Sequence, residues 1–289
     1  MTVTSTQKRQ AFRAVLTGTR CLYPASVFDP ISARLAEDIG FETAMMAGSI
    51  ASQTVLGAPD LIVLTLTEFA DQARRINRAT SLPLLVDSDH GYGNALNVKR
   101  TVEELEVAGV SALTIEDTDL PQPFGTGKPR LISIEEGVGT MNAALAGRSD
   151  SALIVAGRSS APAISGLDDA IRRTKAYAAC GIDAMFLTGI RTRAELDAIA
   201  AAVKIPLFLG AGGGELADRD YLASRNVRIA LQGHLPFAAA VEATRATMQA
   251  LRDGTDPVDI KGAASADLLK KVTRVADYRA WMKDFLGSR

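Results

Sequence analysis

Three carboxylates, Asp87, Asp89 and Glu116, stand at or just beyond the ends of short apolar runs, and their type and spacing suit a hard divalent cation. Mg2+ prefers an octahedral shell of oxygen, keeps several of its waters and is often held by one or two carboxylates. One direct bond plus water-mediated contacts is the chemistry this trio predicts. Taken singly, the same acids would serve equally to cap helices or pair with arginine. The aspartates belong to the string Asp87-Ser-Asp-His-Gly-Tyr-Gly-Asn94. Gly91 and Gly93 flank Tyr92, and glycine permits positive φ and close backbone approach. A plain tight turn has the same requirement.

Two further groups complement the acids. Arg158 can grip a carboxylate with its planar fork, or form an ion pair on the rim. His234, one of two histidines, can donate to a substrate carboxylate or move a proton. It can also simply cap the next helix.

Other chemistries are excluded. A Schiff-base aldolase needs a lysine inside the barrel, and residues 184–187 carry none. Two histidines and two scattered cysteines fall short of a zinc-ligand set. No Gly-x-Ser-x-Gly elbow is present. Gly125-Thr-Gly-Lys128 has Gln122 where a Walker loop has its first glycine, and Pro129 where it has Ser or Thr. Gly210-Ala-Gly-Gly-Gly214 is followed by Glu215 at the last glycine position of a dinucleotide loop. That stretch reads as a flexible loop that can still offer N–H groups to an anion.

The elements that must position these groups alternate along the chain. Strands are expected at residues 21–25, 43–47, 82–86, 112–115, 152–156, 184–187, 206–209 and 227–231. Helices are expected at 30–39, from a Thr67 cap to 79, and at 94–108, 135–146, 167–180, 193–203, 217–224, 235–252 and 266–286. The strands are short apolar runs, as in a parallel sheet covered by helices. Their number and spacing fit an α/β fold, a (β/α)8 TIM barrel, whose active groups lie at the C-terminal strand ends. An open doubly wound sheet is the rival. The chain reads as a single domain over residues 1–289, with 254–289 a C-terminal helical extension.

Bulk properties narrow the partners. A net charge of −1 from 32 basic and 33 acidic residues gives no footprint for nucleic acid or an anionic membrane. Residues 1–13 lack the apolar core of a signal peptide. The longest apolar run, 61–66, is too short for a membrane span. Two cysteines form no disulfide framework, and a cytoplasmic protein is expected.

On Val86-Asp-Ser-Asp-His-Gly-Tyr-Gly-Asn94, Ala47-Gly-Ser49, Pro59-Asp60 and Leu113-Thr-Ile-Glu-Asp117 the chain resembles the isocitrate lyase/phosphoenolpyruvate mutase superfamily. Within it, Ala25-Ser-Val-Phe-Asp-Pro-Ile-Ser-Ala-Arg34, His90-Gly-Tyr-Gly-Asn-Ala-Leu-Asn-Val98 and Gly233-His234 resemble the bacterial oxaloacetate decarboxylase branch. The resemblance implies that Asp87 binds Mg2+ (Mn2+ as a substitute), with Asp89 and Glu116 on its waters. It implies substrate contacts from Ser49, Arg158 and His234. It also implies a homotetramer with a terminal helix swapped between subunits. The lyases of the superfamily carry a Lys-Cys-Gly-His type loop, and here Gln122-Pro-Phe-Gly-Thr-Gly-Lys128 has no cysteine. Arg158-Ser-Ser-Ala161 also departs from the usual pattern after the fifth strand.

The expected reaction is Mg-dependent decarboxylation of oxaloacetate, a small 2-oxo acid, to pyruvate and CO2. Arg158 and His234 orient carboxylates, backbone N–H groups at Gly48 and Ser49 add oxyanion stabilisation, and Tyr92 or a metal-bound water is the candidate proton donor. The alternatives are a C–P hydrolase or C–C lyase on a related diacid, or a barrel that binds ligand without catalysis.

Overall fold

Runs such as Leu84–Asp87 and Ala184–Leu187 show no alternation of apolar and polar residues, and every residue in them is buried. Strands sandwiched between other layers read this way. The computed structural model describes residues 3–210 and 213–287. Its strands are β1 Ala25–Ser26, β2 Ala44–Met46, β3 Leu84–Asp87, β4 Ala112–Glu116, β5 Ile154–Ser159, β6 Ala184–Leu187, β7 Leu207–Leu209 and β8 Val227–Ala230. They form one eight-stranded sheet in sequence order, parallel throughout. A parallel bridge between Leu22 and Ile229 joins its two ends. Leu22 N–H donates to Arg228 O at 2.8 Å and Ala230 N–H to Leu22 O at 3.0 Å. The result is the expected (β/α)8 barrel.

Helix starts follow local chemistry. Asp29 caps Pro30–Ile39, Asn94 caps Ala95–Val107 and Ser133 caps Ile134–Gly147. The helix expected to start at a Thr67 cap begins two residues earlier, at Leu66, with Thr65 as its cap. Glu68 decides this. Its carboxylate accepts from Thr65 N–H at 2.9 Å while Thr65 Oγ1 accepts from Glu68 N–H at 3.4 Å. Such a reciprocal box satisfies two otherwise orphaned donors. The first strand, expected at 21–25, is reduced to the Leu22 bridge and the two residues of β1.

A helix at Ser5–Thr17 escapes the sequence reading, because residues 1–13 look merely polar. It buries Phe12 and Leu16, and its basic residues bind backbone carbonyls and, for Arg9 and Arg13, the carboxylates of Asp150 and Asp183. Lys8 Nζ donates to Asn77 O and Thr80 O, both at 2.6 Å, and Arg9 Nε donates to Val110 O at 3.0 Å. Those carbonyls precede β3 and β4, so this helix lies across the N-terminal strand ends, away from the acids at the C-terminal ends.

Chain contacts divide the protein into Met1–His234 and Leu235–Arg289. The first unit holds all eight strands. The second holds helices Leu235–Arg252, Ala266–Val272 and Val275–Leu286. The helical segment expected over 266–286 is thus broken in two, with Arg274 at φ 60° between the halves. Met248, Tyr278, Trp281 and Phe285 of this unit are exposed. Among the described residues no helix is long and apolar enough to cross a membrane.

Phe12 is fully buried and meets Phe208 of β7 edge-on, ring centroids 6.3 Å apart. Phe12→Ala should destabilise the fold by about 3–5 kcal/mol, read as a lower urea midpoint. An unchanged midpoint would show that the helix does not seal the barrel floor.

Candidate functional site

The side chains at the C-terminal strand ends line a cavity of about 310 Å3, at the small end for ligand sites. Asp87 ends β3 and Glu116 ends β4. Asp89 lies two residues beyond β3 at φ 50°, a left-handed conformation that aspartate tolerates better than most residues. Its carbonyl accepts from Glu116 N–H at 2.8 Å, which locks the two acidic segments together. Asp60, at the exposed edge, adds a fourth carboxylate. Ser49, Arg158 and His234 also line the cavity, as do Gln122, Phe186, Thr188 and Leu231.

Arg158 is the one Arg or Lys among the described lining residues. Its Nη1 donates to Asp87 Oδ2, its Nε lies 3.8 Å from Glu116 Oε2, and its guanidinium sits 5.5 Å from the centre of the Phe186 ring. Thr114 Oγ1 donates to Asp87 Oδ1 at 2.8 Å, and Thr118 Oγ1 to Glu116 Oε2 at 2.7 Å. Arg158 Nε is buried and has no hydrogen-bond acceptor among the described residues.

The acids are crowded. Burial, and then repulsion from Asp87 and Glu116, pushes the Asp89 carboxyl up to about 8, with Arg158 pulling the other way. Burial raises Glu116 as well, and Arg158 offsets part of it. Desolvation and Asp87 raise Asp60. Burial works against the charge on Arg158, yet Asp87 and Glu116 hold its proton more tightly than usual.

These residues fit a divalent ion. The donors are hard oxygens, and four carboxylates face one guanidinium. Burial and the neighbouring acids push the Asp89 carboxyl toward its protonated form, which lessens that excess. Among the described residues no group of three or more acids, histidines or cysteines is arranged to ligate an ion directly. An ion on Asp87 has to share or displace the Arg158 contact.

Gly48 is not among the lining residues. A Cβ at position 48 would come within 2.6 Å of both Asp89 carboxylate oxygens, so the glycine makes room for that acid. Tyr92, expected as a proton donor, does not line the cavity either. Its hydroxyl is buried without a hydrogen-bond partner among the described residues, and its ring packs 5.9 Å from Phe69. Burial also raises its pKa. Asp117 faces away from the cavity. It accepts from Ser159 Oγ at 3.1 Å, Arg173 Nη1 at 3.0 Å and Tyr177 Oη at 2.9 Å. Of the glycine-rich stretch, Gly210 lines the cavity, while residues 211 and 212 lie outside the described residues. Thr114 and Phe186 escape the sequence reading because nothing in a short apolar strand marks which residue turns inward, and Thr188 lies just past β6.

A parallel α/β barrel with an acidic pocket at its C-terminal strand ends defines the class: an enzyme of the barrel type. The family model described as Phosphoenolpyruvate phosphomutase matches residues 12–252, and the chain belongs to that family. It is 56% identical over 280 residues to the oxaloacetate decarboxylase of Bradyrhizobium sp. (strain ORS 278), covering 97% of each chain. It is similar to phosphonopyruvate hydrolase in complex with oxalate and Mg2+, with a TM-score of 0.84, 30% identity, and coverage of 96% of this chain and 99% of that one. It is also similar to oxaloacetate acetylhydrolase bound to 3,3-difluorooxalacetate, with a TM-score of 0.85, 26% identity and 98% of both chains covered.

Asp89 is neutral below about 8 in the folded, ion-free protein, but ionises near pH 3.9 when unfolded. Its contribution to folding is therefore full below about pH 4 and is lost as pH rises through about 8. A cation that needs the carboxylate reverses this loss. Thermal melts with and without Mg2+ should show stabilisation that grows between pH 5 and 8, and Asp89→Asn should flatten the trend. A melting point indifferent to Mg2+ at every pH would contradict the ion site.

Proposed function

We propose that the protein is a divalent-metal-dependent oxaloacetate decarboxylase that yields pyruvate and CO2. The observation that carries this reading is the facing of Asp87, Asp89 and Glu116 by Arg158 and His234 across one small cavity. The 56% identical relative named for this activity supports it. So does the loop at residues 122–128, which has no cysteine with which to protonate a carbanion, as a C–C lyase would.

Asp87 would hold Mg2+, or Mn2+ in its place, with Asp89 and Glu116 on its waters. When bound, the ion supplies Lewis-acid polarisation of the substrate's 2-oxo group. Arg158, whose Nε has no acceptor among the described residues, donates to a substrate carboxylate and fixes its plane. His234 and Ser49 complete the grip. Held this way, the C3–C4 bond stands perpendicular to the carbonyl plane. Its electron pair passes into the pyruvate enolate as CO2 leaves, and C3 then takes up a proton. Phe186 and Leu231, both buried, keep bulk water from the breaking bond.

The two free thiols, Cys21 and Cys180, suit a reducing, cytoplasmic setting. The exposed apolar side chains of Leu235–Arg252 and Val275–Leu286 suit a homotetramer with exchanged terminal helices. A related C–P hydrolase is the second reading, favoured by the 30% identity to phosphonopyruvate hydrolase.

Asp87→Ala should lower Mg-dependent pyruvate formation about a thousandfold, since the lost ion supplies several kcal/mol of charge stabilisation. Unchanged turnover would remove the metal role. In the same assay, phosphonopyruvate turned over faster than oxaloacetate would favour the hydrolase reading.

A further inference from the structure

His234 is held differently from Asp87, Glu116 and Arg158. Asp87 and Glu116 are the last residues of ladder-bonded strands, and Arg158 lies within one. His234 lies beyond β8, after Gly233 at φ 78°. The strand on its far side, β1, has two residues, and the seam between β8 and β1 is the single bridge of Leu22 with Ile229. Among the described residues the barrel backbone last grips this segment at Leu231, whose N–H donates to Leu209 O at 2.9 Å. A side-chain bond spans the seam at the level of the cavity. Ser26, at the end of β1, lies with Oγ 2.8 Å from His234 Nδ1.

That contact sets more than position. A neutral imidazole has one donor and one acceptor nitrogen, and a bond at one nitrogen determines the role of the other. Burial disfavours a charge on His234, with Asp87 and Asp60 opposing. Nδ1 is the one partner of Ser26 Oγ among the described residues, and a hydroxyl that donates there leaves the proton on Nε2. The opposite tautomer would present a lone pair to the anionic ligand that the cavity is read to take.

We propose that Ser26 is the positioning residue of His234, holding the imidazole in the Nε2–H form with that N–H offered to a substrate carboxylate. The inference rests on the proposed reading of the cavity as a site for a 2-oxo diacid. It adds the residue that makes His234 a hydrogen-bond donor there.

Two histidines make the test direct. Long-range 1H–15N spectra of the imidazoles, assigned with His234→Ala, should show Nε2 protonated and Nδ1 accepting in the parent protein. Ser26→Ala should give averaged nitrogen shifts for His234 and leave His90 unmoved, and Ser26→Thr should restore the parent pattern. Steady-state kinetics should change in parallel. Ser26→Ala should raise KM for oxaloacetate about tenfold, equivalent to about 1.4 kcal/mol, with kcat changed far less, and Ser26→Thr should recover most of it. A His234 spectrum identical in the parent and Ser26→Ala would overturn the inference whether or not the protein decarboxylates anything. A tautomer that shifts as expected, with KM indifferent in both Ser26→Ala and His234→Ala, would uphold the role of Ser26. It would instead overturn the substrate contact assigned to His234.

Discussion

Asp87, Asp89 and Glu116 repel one another inside a cavity in which Arg158 is the one fixed positive charge among the described lining residues. Charges removed from water are costly unless paired, and three buried acids cannot all be paired by one guanidinium. The folded chain answers in part with the Arg158–Asp87 bond and in part with a proton held on Asp89, which ionises only near pH 8. A divalent cation answers more completely, because it compensates two charges at one point.

The remainder of the barrel keeps that arrangement in place. Thr114 and Thr118 each fix one oxygen of an acid, so that Asp87 and Glu116 do not swing apart. Gly48 leaves the space that the Asp89 carboxylate fills. Behind the site, Asp117 ties Ser159, Arg173 and Tyr177 into one buried cluster immediately beside Glu116 and Arg158. Breaking one partner of such a cluster strands the others, so the acids stand on a rigid back wall. At the opposite end of the strands, Lys8 and Arg9 satisfy carbonyls and leave the catalytic face free of their charge.

The barrel was legible because its strands are uninterrupted apolar runs and its helices carry their own caps. The residues just past each strand end place Asp87, Glu116 and Arg158 on one face without any coordinates. Other parts were not legible, for physical reasons. The Ser5–Thr17 helix hides its purpose because its basic residues serve carbonyls distant in sequence. Tyr92 reads as a candidate proton donor, yet its ring packs beside Phe69 and does not line the cavity. Gly48 reads as a backbone donor, but the structure shows clearance for a neighbour's side chain. Ser26 and His234 are 208 residues apart and meet only because the sheet closes, which no local pattern announces.

A crystal structure grown with Mn2+ and oxalate, with anomalous scattering used to locate the ion, tests the central claim most directly. The account predicts one ion in the cavity bonded to Asp87, waters from it reaching Asp89 and Glu116, and oxalate contacting Arg158. An ion bound elsewhere, or an Arg158–Asp87 pair left intact beside an ion-free cavity, would contradict it.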